Sequence, residues 1–267
     1  MPDDLTSIGN YAFENCTNLI LTELPSGITS IGSSAFTNCP NLTLTELPSG
    51  ITTINGGVFK GCTNLALTKL PSGVTGIIGD NAFNECTNLA LTELPDGITK
   101  IGNSVFARCP NLALTELPDG ITQIMQSSFL NCTNLKLTKL PSKLTSIDSS
   151  CFKNCANLSI TELPSGITKI TISTFEGCTS LTEIVCLGNI TMVAKDSFKG
   201  CSLLTKFALP NITSIPTSGL PFTNTPIANG TGYIYVPDDL VDSFKSATNW
   251  STYADQIKPI SELEVNE

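Results

Sequence analysis

Eleven cysteines and no histidine bound the chemistry open to this chain. A cysteine thiolate can act as nucleophile, redox partner or metal ligand, but each role needs help from a base, a second sulfur or further ligands. The missing histidine removes Ser-His-Asp and Cys-His nucleophile systems and every histidine-containing zinc site. Nine cysteines, Cys16, Cys39, Cys62, Cys86, Cys109, Cys132, Cys155, Cys178 and Cys201, recur at one phase of a 23-residue period and never in C-x-x-C spacing. If the units stack, equivalent Cα atoms lie about 5 Å apart. That is inside disulfide range, but parallel inward Cβ vectors stay about 5 Å apart, beyond the ~3.5–4.5 Å a bridge needs. The row is therefore read as buried free thiols serving as small hydrophobes. Cys151 takes a slot that Ala35 and Ala82 hold in other units, and with Cys155 it forms a weak redox or metal candidate. No phosphate loop, paired-carboxylate site or nucleotide fingerprint is present, so no enzyme activity, cofactor or metal is expected.

The second set of chemically active residues is charged. Seven residues after successive cysteines stand Glu23, Glu46, Lys69, Glu93, Glu116, Lys139 and Glu162. The Glu-Glu-Lys order repeats every three units, as does the Thr-Pro-Thr order one residue after each Cys, so a block of three units was duplicated. This stripe is the candidate protein-binding face; the alternative is a merely solvated face. Two outward rows vary more freely: Ile20, Thr43, Ala66, Ala90, Ala113, Lys136 and Ser159, and Ser30, Thr53, Lys100, Gln123, Ser146 and Lys169. A shallow, regular, acidic face suits an extended protein partner better than a small molecule, which needs a concave pocket.

The elements that position these rows follow from the period. Phe13, Phe36, Phe59, Phe83, Phe106, Phe129, Phe152, Phe175 and Phe198 each precede a Cys by three residues. One step, from Phe59 to Phe83, is 24 residues, which places an extra residue at Ile77-Ile78 and predicts a local bulge. A fixed period of this size marks a solenoid. Each unit offers a short β-branched strand such as Ile51 to Ile54, a turn at Pro48-Ser49-Gly50, a second strand candidate from Leu42 to Leu47, and a single helical or 3₁₀ turn around the Phe. Asn18, Asn41, Asn64, Asn88, Asn111, Asn134 and Asn157 are read as an internal ladder bonding backbone groups of adjacent coils.

The 267 residues carry a net charge of −9 with only 14 Lys plus Arg, which argues against nucleic acid and against docking on an anionic membrane. Hydrophobic content is 40%, so most of the chain is expected to be ordered. No apolar run approaches the ~18 residues of a membrane span, and Met1 to Asn10 lacks the basic flank and apolar core of a signal peptide.

The pattern L-x-L-T-x-L-P-x-G-I-T-x-I-G-x-x-A-F-x-x-C-x-N-L resembles the bacterial BspA-like leucine-rich repeats, related to the Treponema type. The resemblance covers about residues 2–215. It implies a leucine-rich-repeat solenoid, β-rich within the α/β repeat class, with short helical or 3₁₀ turns. It also implies a bacterial surface protein, extracellular, that binds a host matrix protein or another bacterium's surface protein. An intracellular or assembly scaffold is the alternative, and a monomer is expected. The family spacing has apolar residues three, six and eight after the Cys; copies one to seven instead place them three, five and eight after, with Thr at six, as in Leu42, Leu44, Thr45 and Leu47, while copies eight and nine revert with Leu181 and Ile184, then Leu204 and Phe207. Either the strand is bulged with Leu44 inward, or a row of Leu lies exposed; the inward reading is preferred, because an exposed stripe would aggregate. The expected division is a solenoid over 1–215, a loop over 216–232 with three prolines and three glycines, and a small α/β C-terminal cap over 233–267. Within the cap, Tyr233 to Val236 is a strand candidate, Pro237 to Ala247 a helix, Ser251 to Ile257 a shorter helix, and Glu262 to Glu267 a frayed tail.

Overall fold

The structure, a computed structural model, describes residues 1–263. The chain winds as a parallel-sheet solenoid of about 11 turns. The first sheet row holds the short strands Ser7–Ile8, Ser30–Ile31, Gly76–Ile78, Ile98–Ile101, Gln123–Ile124, Ser146–Ile147, Lys169–Ile170, Met192–Val193 and Thr217–Ser218. Equivalent residues pair directly: Ile8 with Ile31, Ile101 with Ile124, Ile124 with Ile147, and Ile170 with Val193. Period-2 alternation sends each Ile or Val inward and its neighbour outward. The copy around Ile54 contributes a single bridge to Ile78.

The second segment behaves differently in the two halves. From Leu42 to Leu47 no strand forms. Leu42 and Leu44 are fully buried, Leu47 nearly so, and Thr45 and Glu46 both face out. Two successive outward residues break the alternation a strand needs, and the chain bends at Thr45. One ladder bond per step remains, such as Thr43 N–H to the Leu21 carbonyl at 3.0 Å. A five-stranded parallel sheet forms from Glu162–Leu163, Glu183–Cys186, Lys206–Ala208, Tyr233–Val236 and Ile257–Pro259; its first strand still follows Thr161 and Glu162 facing out together, and alternation returns from Glu183 on. The bulged, Leu-inward reading therefore holds for the early coils.

Around each Phe the chain makes i→i−3 turns, as in Cys39 N–H to the Phe36 carbonyl at 3.2 Å. Two residues per coil have positive φ, one two positions before the Phe and one two after, as in Ser34 and Asn38 or Gly57 and Gly61. Asn, Ser and Gly suit these places because they tolerate the left-handed region. Glu85 and Arg108 occupy it without that tolerance, and they form an ion pair across adjacent coils. The alternation aims every second N–H at the next coil: Ser34 to Gly56, Phe36 to Val58 and Asn38 to Lys60, at 2.9, 2.9 and 2.6 Å. The Phe turn is thus a further inter-coil ladder, and it holds the rings in a column. From Phe13 to Phe198 successive ring centroids lie 5.3–5.7 Å apart and near-parallel.

The extra residue is absorbed as the period predicts. The register shifts between Gly76 and Ile77, Gly76 has φ +78°, and Ile77 is pushed out to 54% exposure. Phe83 stays in the column, 5.7 Å from Phe59 and 5.6 Å from Phe106.

Residues 216–232, expected as a loop, contain another turn of the solenoid. Thr217–Ser218 pairs with Met192–Val193, and Phe222 stacks on Phe198 at 5.6 Å. Thr225 takes the cysteine slot, fully buried, its hydroxyl donating to the Phe222 carbonyl at 2.7 Å. Thr for Cys and a left-handed Leu220 for Ser hide this coil from the pattern. After the strand Tyr233–Val236 come a 3₁₀ turn Asp238–Leu240, the helix Val241–Ser246, a 3₁₀ helix Ser251–Gln256 and the strand Ile257–Pro259. Trp250 is buried with its Nε1–H on the Pro216 carbonyl at 2.7 Å, and Tyr253 sets its ring edge-on to Phe222 at 5.4 Å. Of the expected tail, Glu262 ends the 3₁₀ turn Ile260–Glu262, and residues 264–267 lie outside the described residues.

Candidate functional site

The cysteine row is spent on stacking. Eight thiols, from Cys39 to Cys201, each donate to the Phe carbonyl of the preceding coil at 2.9–3.1 Å. All eleven cysteines are unbridged, and only Cys16 is not fully buried. Burial pushes the thiols of Cys62, Cys109 and Cys201 up to about 12. It also raises those of Cys86, Cys132, Cys151, Cys155 and Cys178 well above the ordinary range. A thiol held protonated and out of solvent is neither nucleophile nor ready ligand. Cys151 and Cys155, the pair singled out for redox or metal chemistry, are both at 0% exposure.

The Asn row is not internal. All seven side chains are exposed, although the Asn41 and Asn111 amides donate to the carbonyls of Thr17 and Thr87 at 2.8 and 3.0 Å. A row that sequence reading passed over does similar work on another face. The hydroxyls of Thr29, Thr122, Thr145 and Thr191 each donate to the carbonyl of the equivalent Thr one coil back, at 3.0–3.4 Å.

The Glu/Lys stripe is an exposed row, flanked by the equally exposed Thr22, Thr45 and Thr68. Each stripe residue sits between an outward Thr and an inward Leu, just before the Leu-Pro step turns the chain toward the first sheet. All seven residues are exposed. None pairs with an opposite charge within 4 Å among the described residues; the ion pairs present lie elsewhere, as in Lys153 and Lys199 on Glu176. The surface they border is concave. A groove of ≈ 880 Å³ runs past Glu23, Glu46, Lys69 and Glu93, with Leu24, Leu47, Leu70, the Pro-Ser steps, and Met1 and Asp3 at the N-terminal end forming the rest of its lining. A second hollow of ≈ 230 Å³ continues the row past Lys139 and Glu162, and Leu187 closes it. Glu116 lies on the stripe between the two and lines neither. The stripe was expected on a sheet face; in the early coils it sits on bent, strand-free backbone, which is why the surface dips into a groove. The Leu-Pro-Ser floor is the part the sequence reading missed, and its signal was the constant Pro turn itself.

The family model described as BspA type leucine rich repeat region matches residues 1–113 and 99–225. The chain belongs to this family. No curated protein matches it. Three solved structures are similar. One is a leucine rich cell surface protein from Faecalibacterium prausnitzii, 26% identical, covering 97% of this chain and 77% of that one, with a TM-score of 0.46. Another is a leucine-rich repeat protein from Bacteroides ovatus, 20% identical, covering 96% and 88%, with a TM-score of 0.48. The third is the T. pallidum leucine rich repeat protein, 28% identical, covering 69% and 74%, with a TM-score of 0.44. In this BspA-type chain the Leu, Ile, Phe and Cys positions are consumed by the stack.

Proposed function

We propose that this chain is a non-catalytic protein-binding module displayed at a bacterial cell surface, working in adhesion or host interaction, with the groove along Glu23 to Glu162 as its binding face. One observation carries the reading: the charged stripe is exposed, free of ion pairs among the described residues, and runs along hollows lined by Leu, Pro and Ser. An elongated groove of this kind takes an extended or convex protein surface, and many displayed copies would multiply a modest affinity. The test reverses Glu46, Glu93, Glu116 and Glu162 to Lys and measures binding to host matrix proteins and to bacterial cells. Binding is expected to fall at least tenfold with the circular dichroism spectrum unchanged. Unchanged binding would remove the groove from consideration, and a parent that binds none of these targets would remove adhesion.

The unbridged thiols favour a second reading, an intracellular assembly scaffold, because reducing compartments preserve free cysteines. Brief proteolysis of intact source cells separates the two: a surface protein is cut, an intracellular one survives.

A further inference from the structure

The two three-coil blocks are not equal on the groove face. Set against one another, Glu23, Glu46 and Lys69 match Glu93, Glu116 and Lys139. Ser26 and Ser49 line the groove in the first block; Asp96 and Asp119 stand in their places in the second. In the third coil, Ala66 and Gly73 give way to Lys136 and Lys143. Each change adds charge of the sign its coil already carries. Four carboxylates thus gather on two adjacent coils and three ammonium groups on the next. All of them are exposed, and none forms an ion pair among the described residues. Stacking does not ask for this, since the serines, alanine and glycine of the first block serve the same backbone. Like charges on neighbouring strands oppose the stack slightly.

We propose that the charged face joining the two hollows, with Glu93 at the edge of one and Lys139 in the other, takes an extended polypeptide segment whose charges are arranged in blocks, with basic side chains opposite the Glu93–Asp96 and Glu116–Asp119 coils and acidic ones opposite the Lys136–Lys139–Lys143 coil. This rests on the groove being the binding face. Length agrees with an extended occupant. Coils rise about 4.8 Å each, so the three coils from Glu93 to Lys139 span roughly 10 Å between first and last, about three residues of extended chain. Complementary charge of this kind sets register and association rate more than raw affinity.

The experiment uses the full chain and three fluorescent twelve-residue peptides in a Gly-Ser background. One carries a lysine block followed by a glutamate block, one alternates the same lysines and glutamates, and one carries lysines only. The block peptide is expected to bind at least tenfold tighter than either other peptide and to weaken as salt screens the charges. It should lose that preference in E93K/D96K/E116K/D119K, whose changes are all at exposed positions. Equal binding of block and alternating peptides, both lost in the variant, would overturn the charge order while leaving the groove as the site. Tight lysine-only binding would overturn the role of the lysine coil. Binding that ignores the variant would overturn the groove reading as well.

Discussion

The thiol column makes the fold sensitive to alkali, and the size of the effect follows from burial. A thiol raised in the folded state adds stability that is whole below its unfolded pKa and is lost as pH rises toward the folded one. The window here opens at 9.0 and runs to about 12 for Cys62, Cys109 and Cys201. At pH 10 the unfolded thiol is mostly ionised and the buried one is not, which costs about 1.4 kcal/mol per group. The cost at that pH depends on the unfolded value alone, so the other thiols raised well above 9.0 contribute equally. With Cys86, Cys132, Cys151, Cys155, Cys178 and Cys186 the set numbers nine. Their sum is on the order of 13 kcal/mol, as large as the whole stability of an ordinary domain. Urea unfolding should therefore shift steeply downward between pH 8 and pH 10, followed both by far-UV circular dichroism of the coils and by fluorescence of Trp250 in the cap. The decisive comparison is Cys62→Ala, which isolates one thiol from every other contribution to the alkaline slope. That variant loses about 1.4 kcal/mol less than the parent between the two pH values, whatever the substitution costs at pH 8. An identical pH loss in parent and variant, or a parent as stable at pH 10 as at pH 8, would refute the argument.

At neutral pH a thiol reagent should modify Cys16 in the native protein and all eleven cysteines after denaturation; several disulfides in the intact mass would contradict this. Burial raises the Glu176 carboxyl, but hydrogen bonds from Lys153 and Ser173 and the charges of Lys153 and Lys199 hold it below the ordinary value of 4.5. Its stabilisation is present above that pH and lost as acid protonates it, so Glu176→Gln should lower stability by on the order of 1 kcal/mol or less at pH 7 and leave it unchanged near pH 3. Deleting residues 233–267 removes Tyr253 from Phe222 and Trp250 from Pro216, and the product should self-associate on a sizing column. A truncated chain that stays monomeric and melts like the parent would show that this segment only decorates the end.

What the sequence reveals depends on whether a residue's job is repeated. Phe, Cys, Leu and Ile do the same thing in every coil, so their period announces the solenoid, and even the extra residue at Ile77 is legible because Phe83 and Cys86 return to phase. The failures have physical causes. The Asn row looks internal because Asn recurs beside Leu, yet what recurrence demanded was a polar side chain at a turn, not burial. The paired left-handed residues around each Phe are filled by Ser, Asn, Gly, Asp, Glu, Arg, Tyr and Leu, so no single residue type marks them. The coil carrying Phe222 is hidden because Thr225 stands in the cysteine slot. That residue also bears on the column: its hydroxyl turns back to the Phe222 carbonyl of its own coil, whereas each thiol reaches the Phe carbonyl of the coil before.

The groove follows the opposite logic. A stack forces sameness on whatever it buries, so information about a partner has to sit where coils differ without harm. On this face the differences between the two blocks are few, exposed and of consistent sign: Asp96, Asp119, Lys136 and Lys143. None is visible as a motif, because a motif is defined by recurrence and these are departures from it. They become legible only when one block is laid on the other, which shows that the departures cluster beside the same stripe. For a repeat protein of this kind, the fold is read from the period and the partner from its exceptions, provided the exceptions gather on one exposed surface, as they do here beside Glu93, Glu116 and Lys139.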